Sequence, residues 1–215
     1  MCKLNANTDT ITDRNDKSTV AVKAARVSDL MSVSTKRLGS MQEHYQYDRI
    51  VVMGVSGCGK STLAAALAQR LAWRMIEGDT FHSPENADKM ARGIALTDAD
   101  RQDWLSNLAW MLGEDDPAQH GGIVLTCSAL RAAYRETLRA KRRGKIGFVY
   151  MALSEHDAFE RVSKRQGHPF PASLVHNQFE TLESPEHEPD VLTVDANEST
   201  EAHVLSVQAW LKTSR

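Results

Sequence analysis

The stretch Ile50-Val51-Val52-Met53-Gly54-Val55-Ser56-Gly57-Cys58-Gly59-Lys60-Ser61-Thr62 joins an apolar run to an octapeptide, Gly54 to Ser61, that satisfies GxxxxGK[ST] at every fixed position. The apolar run reads as a buried strand. Leu63, Leu67 and Leu71, with alanines between them, continue with helical spacing. A strand, a Gly-rich loop and a helix in that order make a nucleoside triphosphate site. The glycines let the backbone turn its N–H groups inward around phosphate oxygens. Lys60 supplies a mobile positive charge for the β and γ phosphates, Ser61 a hydroxyl for magnesium, and the following helix aims its positive dipole end at the same point. A Gly-rich turn with no ligand would not require Lys and Ser in sequence.

Cys58 occupies a free position of the motif, where the helix N-terminus and Lys60 would favour a thiolate. A redox switch is one reading, and a small side chain in a permissive position is the preferred one. Cys2 and Cys127 complete an odd, scattered set without CxxC or metal-ligand spacing, which fits a reducing compartment. The chain has 215 residues, 41% hydrophobic and 25% charged, enough for one good core. A net charge of −2 offers no global electrostatic reason to bind nucleic acid or an anionic membrane. No apolar stretch approaches the roughly 20 residues that span a bilayer, and the N-terminus lacks the apolar core of a secretory signal. The expected location is the cytoplasm.

Residues 1–48 are rich in Ser, Thr, Asn, Asp and Lys and read as a disordered extension. Asp9, Asp13, Asp16 and Asp29 argue against a transit peptide, and the functional chain is expected to tolerate a start near Met41. Residues 49–215 read as one α/β domain, a five-stranded parallel sheet with helices on both faces. The expected strands are Arg49–Met53, Arg74–Glu77, Gly122–Cys127, Ile146–Leu153 and Asp190–Val194. A helical flap follows the second strand, with Trp104, Leu105, Leu108, Met111 and Leu112 on an amphipathic period. A helical lid follows the fourth: helix from Ser154 to Gln166, a break at Gly167-His168-Pro169-Phe170-Pro171, and helix again through Leu174, Phe179 and Leu182.

Ligands of open parallel sheets sit at the carboxyl ends of strands. Glu77-Gly78-Asp79 ends the second strand, and Asp79 there can accept a proton from an attacking hydroxyl. The third strand ends Leu125-Thr126-Cys127-Ser128, without the Asp of a Walker B strand, and Asp79 is the candidate to fill that gap. An aspartate at such a junction is otherwise a turn or cap residue, and the phosphate loop reverses that preference. Arg161 and Arg165, four apart, share a helix face before the lid break and can clamp phosphates. Arg135 lies among the basic residues after strand three, and Lys89, Arg101 and Arg131 suit an acceptor that carries its own anionic group.

GVSGCGKST at 54–62, EGDTFHSPENADKMARGIALTDADRQDWL at 77–105, CSALRAAYRETLR at 127–139 and RQGHPFPASLVHNQFETLE at 165–183 resemble, in order and wording, the gluconokinase family of small P-loop kinases. The resemblance implies ATP-dependent phosphorylation of D-gluconate to 6-phosphogluconate, with a homodimer as the expected assembly. It implies Gly54, Val55, Ser56, Gly57, Cys58, Gly59, Lys60, Ser61 and Thr62 on ATP and Mg2+, with Ser61 as the metal ligand and Lys60 bridging the phosphates. It implies Asp79 at the acceptor hydroxyl, Arg161 and Arg165 on the phosphates, and His82, Lys89, Arg101, Ser128, Arg131 and His168 around gluconate. The chain departs from the family's usual wording in the lid (GHPFP against GHFMP), at Asn177, at Ala95 and at Arg131. The rival readings are another small-metabolite kinase, acting on shikimate or adenylylsulfate, and a nucleotide-dependent regulator.

Overall fold

Strand β1 (Arg49–Met53) is buried along its whole length, as a continuous apolar run requires of a strand covered on both faces. The computed structural model describes residues 45–114, 121–140, 144–164 and 171–212. Most of the 1–48 extension therefore lies outside the described residues. Its last four, 45–48, pack on the domain: Tyr47 lies against Trp210 with ring centroids 4.6 Å apart and planes inclined by 32°, and Tyr45 meets Trp73 edge-on at 5.5 Å.

The chain runs β1, α1 (Lys60–Leu71), β2 (Arg74–Glu77), a 3-10 turn (Gly78–Phe81), α2 (Pro84–Ala91), α3 (Asp98–Glu114), β3 (Ile123–Thr126), α4 (Ala132–Ala140), β4 (Ile146–Ala152), α5 (Glu155–Ser163), a second 3-10 turn (Ala172–Leu174), α6 (Val175–Thr181), β5 (Val191–Asp195) and α7 (Thr200–Lys212). The five strands pair in the order β2-β3-β1-β4-β5, all parallel, with Arg49 opposite Ile123 on one side and Ile146 on the other. This is the expected sheet, with β3 and β5 differing from their expected bounds by one residue at each end and β4 by one at its C-terminal end.

Alternation along β1 divides the core. Ile50 and Val52 join α1 (Leu63, Leu67) and α7 (Val204, Val207, Leu211). Val51 and Met53 join α3 (Trp104, Leu105, Leu108, Leu112) and α4 (Tyr134, Leu138). The period-2 strand meets a period-3.6 helix on each side, and α3 buries the stripe its spacing predicts, with Met111 at its half-buried margin. Ser83 caps α2 by accepting from Asn86 N at 3.2 Å, with Pro84 at the first helical position. Ser154 caps α5 by accepting from Asp157 N at 3.1 Å. Among the described residues no helix is long and apolar enough to cross a membrane.

Arg135 is not a site residue. It is 1% exposed, donates to Glu188 at 2.6 Å and 2.8 Å, and donates again to Ala129 O at 2.9 Å. Arg139 joins it on Glu188 and adds Asp190 at 2.7 Å, its guanidinium lying over the Phe148 ring. The network ties α4 to the segment entering β5. Burial opposes ionisation of Glu188, yet the hydrogen bonds from Arg135 and Arg139 outweigh it and hold the carboxyl below its ordinary value of 4.5. A carboxyl lowered on folding stabilises above its unfolded pKa and loses that contribution as pH falls through the folded one. Glu188→Gln is therefore expected to cost about 2–3 kcal/mol at pH 7, because Arg135 is left undercompensated. In urea melts that difference should shrink at pH values below 4.5; a pH-independent difference would exclude the ionic origin.

Candidate active site

The loops after β1, β2 and β3 meet at the carboxyl edge of the sheet, because β1 lies beside β3 and β3 beside β2. The first is the phosphate loop. Gly57 and Gly59 have φ of +85° and +98°, and a Cβ on Gly57 would lie 3.1 Å from Val162 Cγ2 and 3.2 Å from Ala158 O, so the loop is tucked beneath α5. No side chain caps the N-terminus of α1, which leaves its first N–H groups to an anion. Lys60 Nζ donates to Val55 O at 3.0 Å, and the Ser61 and Thr62 side chains are exposed.

Val55 and Cys58 turn their side chains into the core, so the loop offers a ligand only their backbone groups. Cys58 is 1% exposed, which favours the packing reading over the redox one. Burial pushes the Cys127 thiol up to about 12.

One cavity is lined by Ser56, Gly57, Gly59, Lys60, Ser61, Thr62, Asp79 and Arg161. Arg161 reaches it from α5, donating to Ala196 O at 3.2 Å, Asn197 Oδ1 at 2.6 Å and, at the limit of 3.5 Å, Gly57 O. Asn197 is itself set by a turn in which its N–H donates to Asp195 Oδ1 at 2.9 Å. The loop after β5 thus aims the lid arginine. Sequence reading missed Asn197 because an Asx turn carries no sign of what its side chain will hold.

A second cavity adjoins the first. Its floor is Ser56, Lys60, Asp79 and Ser128; the flap contributes His82, Met90, Ala95, Leu96 and Arg101, and the lid Leu174, Asn177 and Gln178. Ser56, Lys60 and Asp79 line both cavities. The exposed Asp79 side chain stands on a turn held from behind: Gly78 N donates to Thr126 Oγ1 at 3.1 Å, and the Trp104 indole donates to Gly78 O at 2.8 Å. Thr126, the residue closing β3, also donates to the Glu77 carboxylate. A Cβ on Gly78 would sit 2.1 Å from Thr126 O, so only glycine allows this approach.

Among the described residues, His82 Nδ1 and Arg101 Nε are buried nitrogens without a hydrogen-bond partner, and both belong to residues of the second cavity. Burial lowers the His82 pKa, Asp79 opposes that shift and Arg101 reinforces it, so the imidazole is neutral at pH 7. Ser128 completes the floor, and its carbonyl accepts from Gly54 N at 3.3 Å. The next residue, Ala129, takes a left-handed φ of +45° and is held by Arg135.

Lys89 and Arg131 are outside this lining. Lys89 donates to Asp100 at 2.6 Å and holds that carboxyl down to about 2, while Arg131 pairs with Asp98 at 2.6 Å. The first turn of α3 carries both acids, as a helix N-terminus favours, and they engage the two cations inside the flap and at α4. Arg165 and His168 lie outside the described residues. Gln178 is a residue the sequence did not reveal: its Oε1 accepts from Ser56 N at 2.7 Å, joining the lid to the phosphate loop.

An anion cradle with a lysine and an arginine, opening through Ser56, Lys60 and Asp79 into a pocket with unpartnered polar groups, can bring a phosphoryl group and an acceptor hydroxyl together beside one carboxylate. Comparison with known proteins agrees. The family model described as an AAA domain matches residues 50–185. A gluconokinase of Gluconobacter oxydans (strain 621H) is 48% identical over 145 residues, 67% of this chain and 80% of the relative. The thermoresistant gluconokinase of Escherichia coli (strain K12) is 36% identical over 175 residues, 79% of this chain and 95% of that one. The crystal structure of a gluconokinase from Sinorhizobium meliloti 1021 is 40% identical, covers 78% of this chain and 93% of its own, and superposes with a TM-score of 0.69.

Proposed function

The chain belongs to the gluconokinase family, and we propose that it transfers the γ-phosphoryl group of ATP to the C6 hydroxyl of D-gluconate, giving 6-phospho-D-gluconate and ADP. The observation that carries this reading is the junction of the two cavities at Ser56, Lys60 and Asp79, with His82 Nδ1 and Arg101 Nε unpartnered on the acceptor side. A polyhydroxy acid brings one carboxylate and several hydroxyls. Arg101 suits the carboxylate, and a neutral His82 with Ser128 suits hydroxyls.

In this reading Asp79 orients the acceptor hydroxyl and takes its proton as the new O–P bond forms and the bond to the β-phosphate breaks. Lys60 and Arg161 neutralise the charge that spreads over the transferring group. The exposed Ser61 hydroxyl at the first turn of α1, beside the open N–H groups, fits a ligand of Mg2+ carried with the nucleotide, which would neutralise β and γ oxygens. Gln178, bonded to Ser56, keeps the lid helix over the transfer point and helps exclude water.

The test is a coupled ADP-release assay with ATP-Mg across gluconate, shikimate, adenylylsulfate and several sugars. Gluconate-selective turnover is expected. Arg101→Ala should raise KM for gluconate by roughly tenfold or more with KM for ATP unchanged, the cost of losing a charge-assisted contact. Turnover confined to another acceptor would replace the assignment of substrate.

A further inference from the structure

Trp104 is 2% exposed and lines neither of the two cavities, yet it touches both ends of the turn that carries Asp79. Its indole N–H donates to Gly78 O at 2.8 Å. Its ring face stacks on His82, centroids 4.1 Å apart and planes inclined by 18°. The turn closes between these points through His82 N donating to Asp79 O at 3.4 Å.

The Gly78 carbonyl and the Asp79 N–H belong to one rigid peptide plane. The donor that fixes that carbonyl therefore fixes the plane from which the Asp79 Cα departs. The preceding plane is fixed separately, by Gly78 N donating to Thr126 Oγ1 at 3.1 Å. One plane is set from β3 and the next from α3.

We infer that Trp104 is a positioning residue for phosphoryl transfer: its N–H sets the direction of the Asp79 carboxylate, and its ring face sets the His82 imidazole against the acceptor. The inference rests on the reading of Asp79 as the acceptor base. It separates two functions of one side chain. The N–H acts on the chemical step, and the ring face acts on acceptor binding. Arg101 lies one helical turn before Trp104, so α3 supports the base turn and supplies a cavity cation from a single face.

The experiment is steady-state kinetics of the full chain with Trp104→Phe, which keeps a stacking face and removes the donor, and Trp104→Leu, which removes both. Trp104→Phe should lower kcat about tenfold, the equivalent of one hydrogen bond, with KM for gluconate and for ATP within about twofold of the parent. Trp104→Leu should add a several-fold rise in KM for gluconate alone. A benzothienylalanine at position 104, matching indole in shape but without its N–H, should reproduce the Trp104→Phe result even if the Phe variant folds poorly. In an Asp79→Asn background Trp104→Phe should cause no further fall. Parental kcat in both donor-less forms, a tenfold further fall in the Asp79→Asn background, or an equal rise in KM for ATP would overturn the inference. Undiminished turnover of Asp79→Asn alone would instead remove the base reading beneath it, a different result from a normal Trp104→Phe enzyme beside a crippled Asp79→Asn one.

Discussion

An Asp79→Asn enzyme is expected to lose about a thousandfold in kcat, within the range that a positioned general base contributes, while its affinity for ATP stays near the parental value. The substitution is nearly isosteric and leaves the turn intact, since Gly78 N and Gly78 O make the bonds to Thr126 and Trp104. What disappears is the carboxylate at the junction of the two cavities, the proton acceptor of the proposed transfer. An amide there still accepts a hydrogen bond from the hydroxyl and cannot take its proton, so KM for gluconate should change little. The readout is kcat and KM measured together with nucleotide affinity by calorimetry. A residual kcat within tenfold of the parent would move the base role elsewhere.

Lys60→Ala is expected to be nearly as damaging, about 10²–10³ in kcat, the scale of losing one preorganised charge at a developing anion, with roughly tenfold weaker ATP binding. Lys60 lines both cavities, at the junction it shares with Ser56 and Asp79. Arg161 cannot substitute for it, because it lines the nucleotide cavity but not the second one, its guanidinium held there by Ala196 O and Asn197 Oδ1. Lys60→Arg should not rescue turnover either, since a planar fork replaces a compact charge on a flexible stem. Single-turnover assays with saturating ATP separate the chemical loss from the binding loss. A Lys60→Ala chain that turns over within tenfold of the parent would show that the bulk of the phosphate charge is met by other groups.

Much of this site was legible in sequence because its main parts are local. The phosphate loop is one contiguous motif, and Asp79 stands at the end of a strand, where topology alone brings it to the cleft. Arg101 and His82 were legible as members of a basic and polar set but could not be told apart there from Lys89 and Arg131. The difference lies in partners distant along the chain. Asp100 engages Lys89 across 11 positions and Asp98 engages Arg131 across 33, whereas Arg101 Nε and His82 Nδ1 retain unpartnered faces. Arg135 likewise shows nothing of its structural role in the local sequence, because its partner Glu188 lies 53 positions on.

The sequence by itself determined the nucleotide site, the five parallel strands and the pairing of a loop lysine with an aspartate after the second strand, because each follows from short-range spacing and from strand–helix alternation. Only the tertiary structure decided which cations line the second cavity, that Gln178 of the lid holds Ser56, that Asn197 aims Arg161, and that Trp104 holds the turn of Asp79. Those contacts join separate crossover units, and spacing along one unit sets which face a side chain is on without naming the group that packing will bring to meet it.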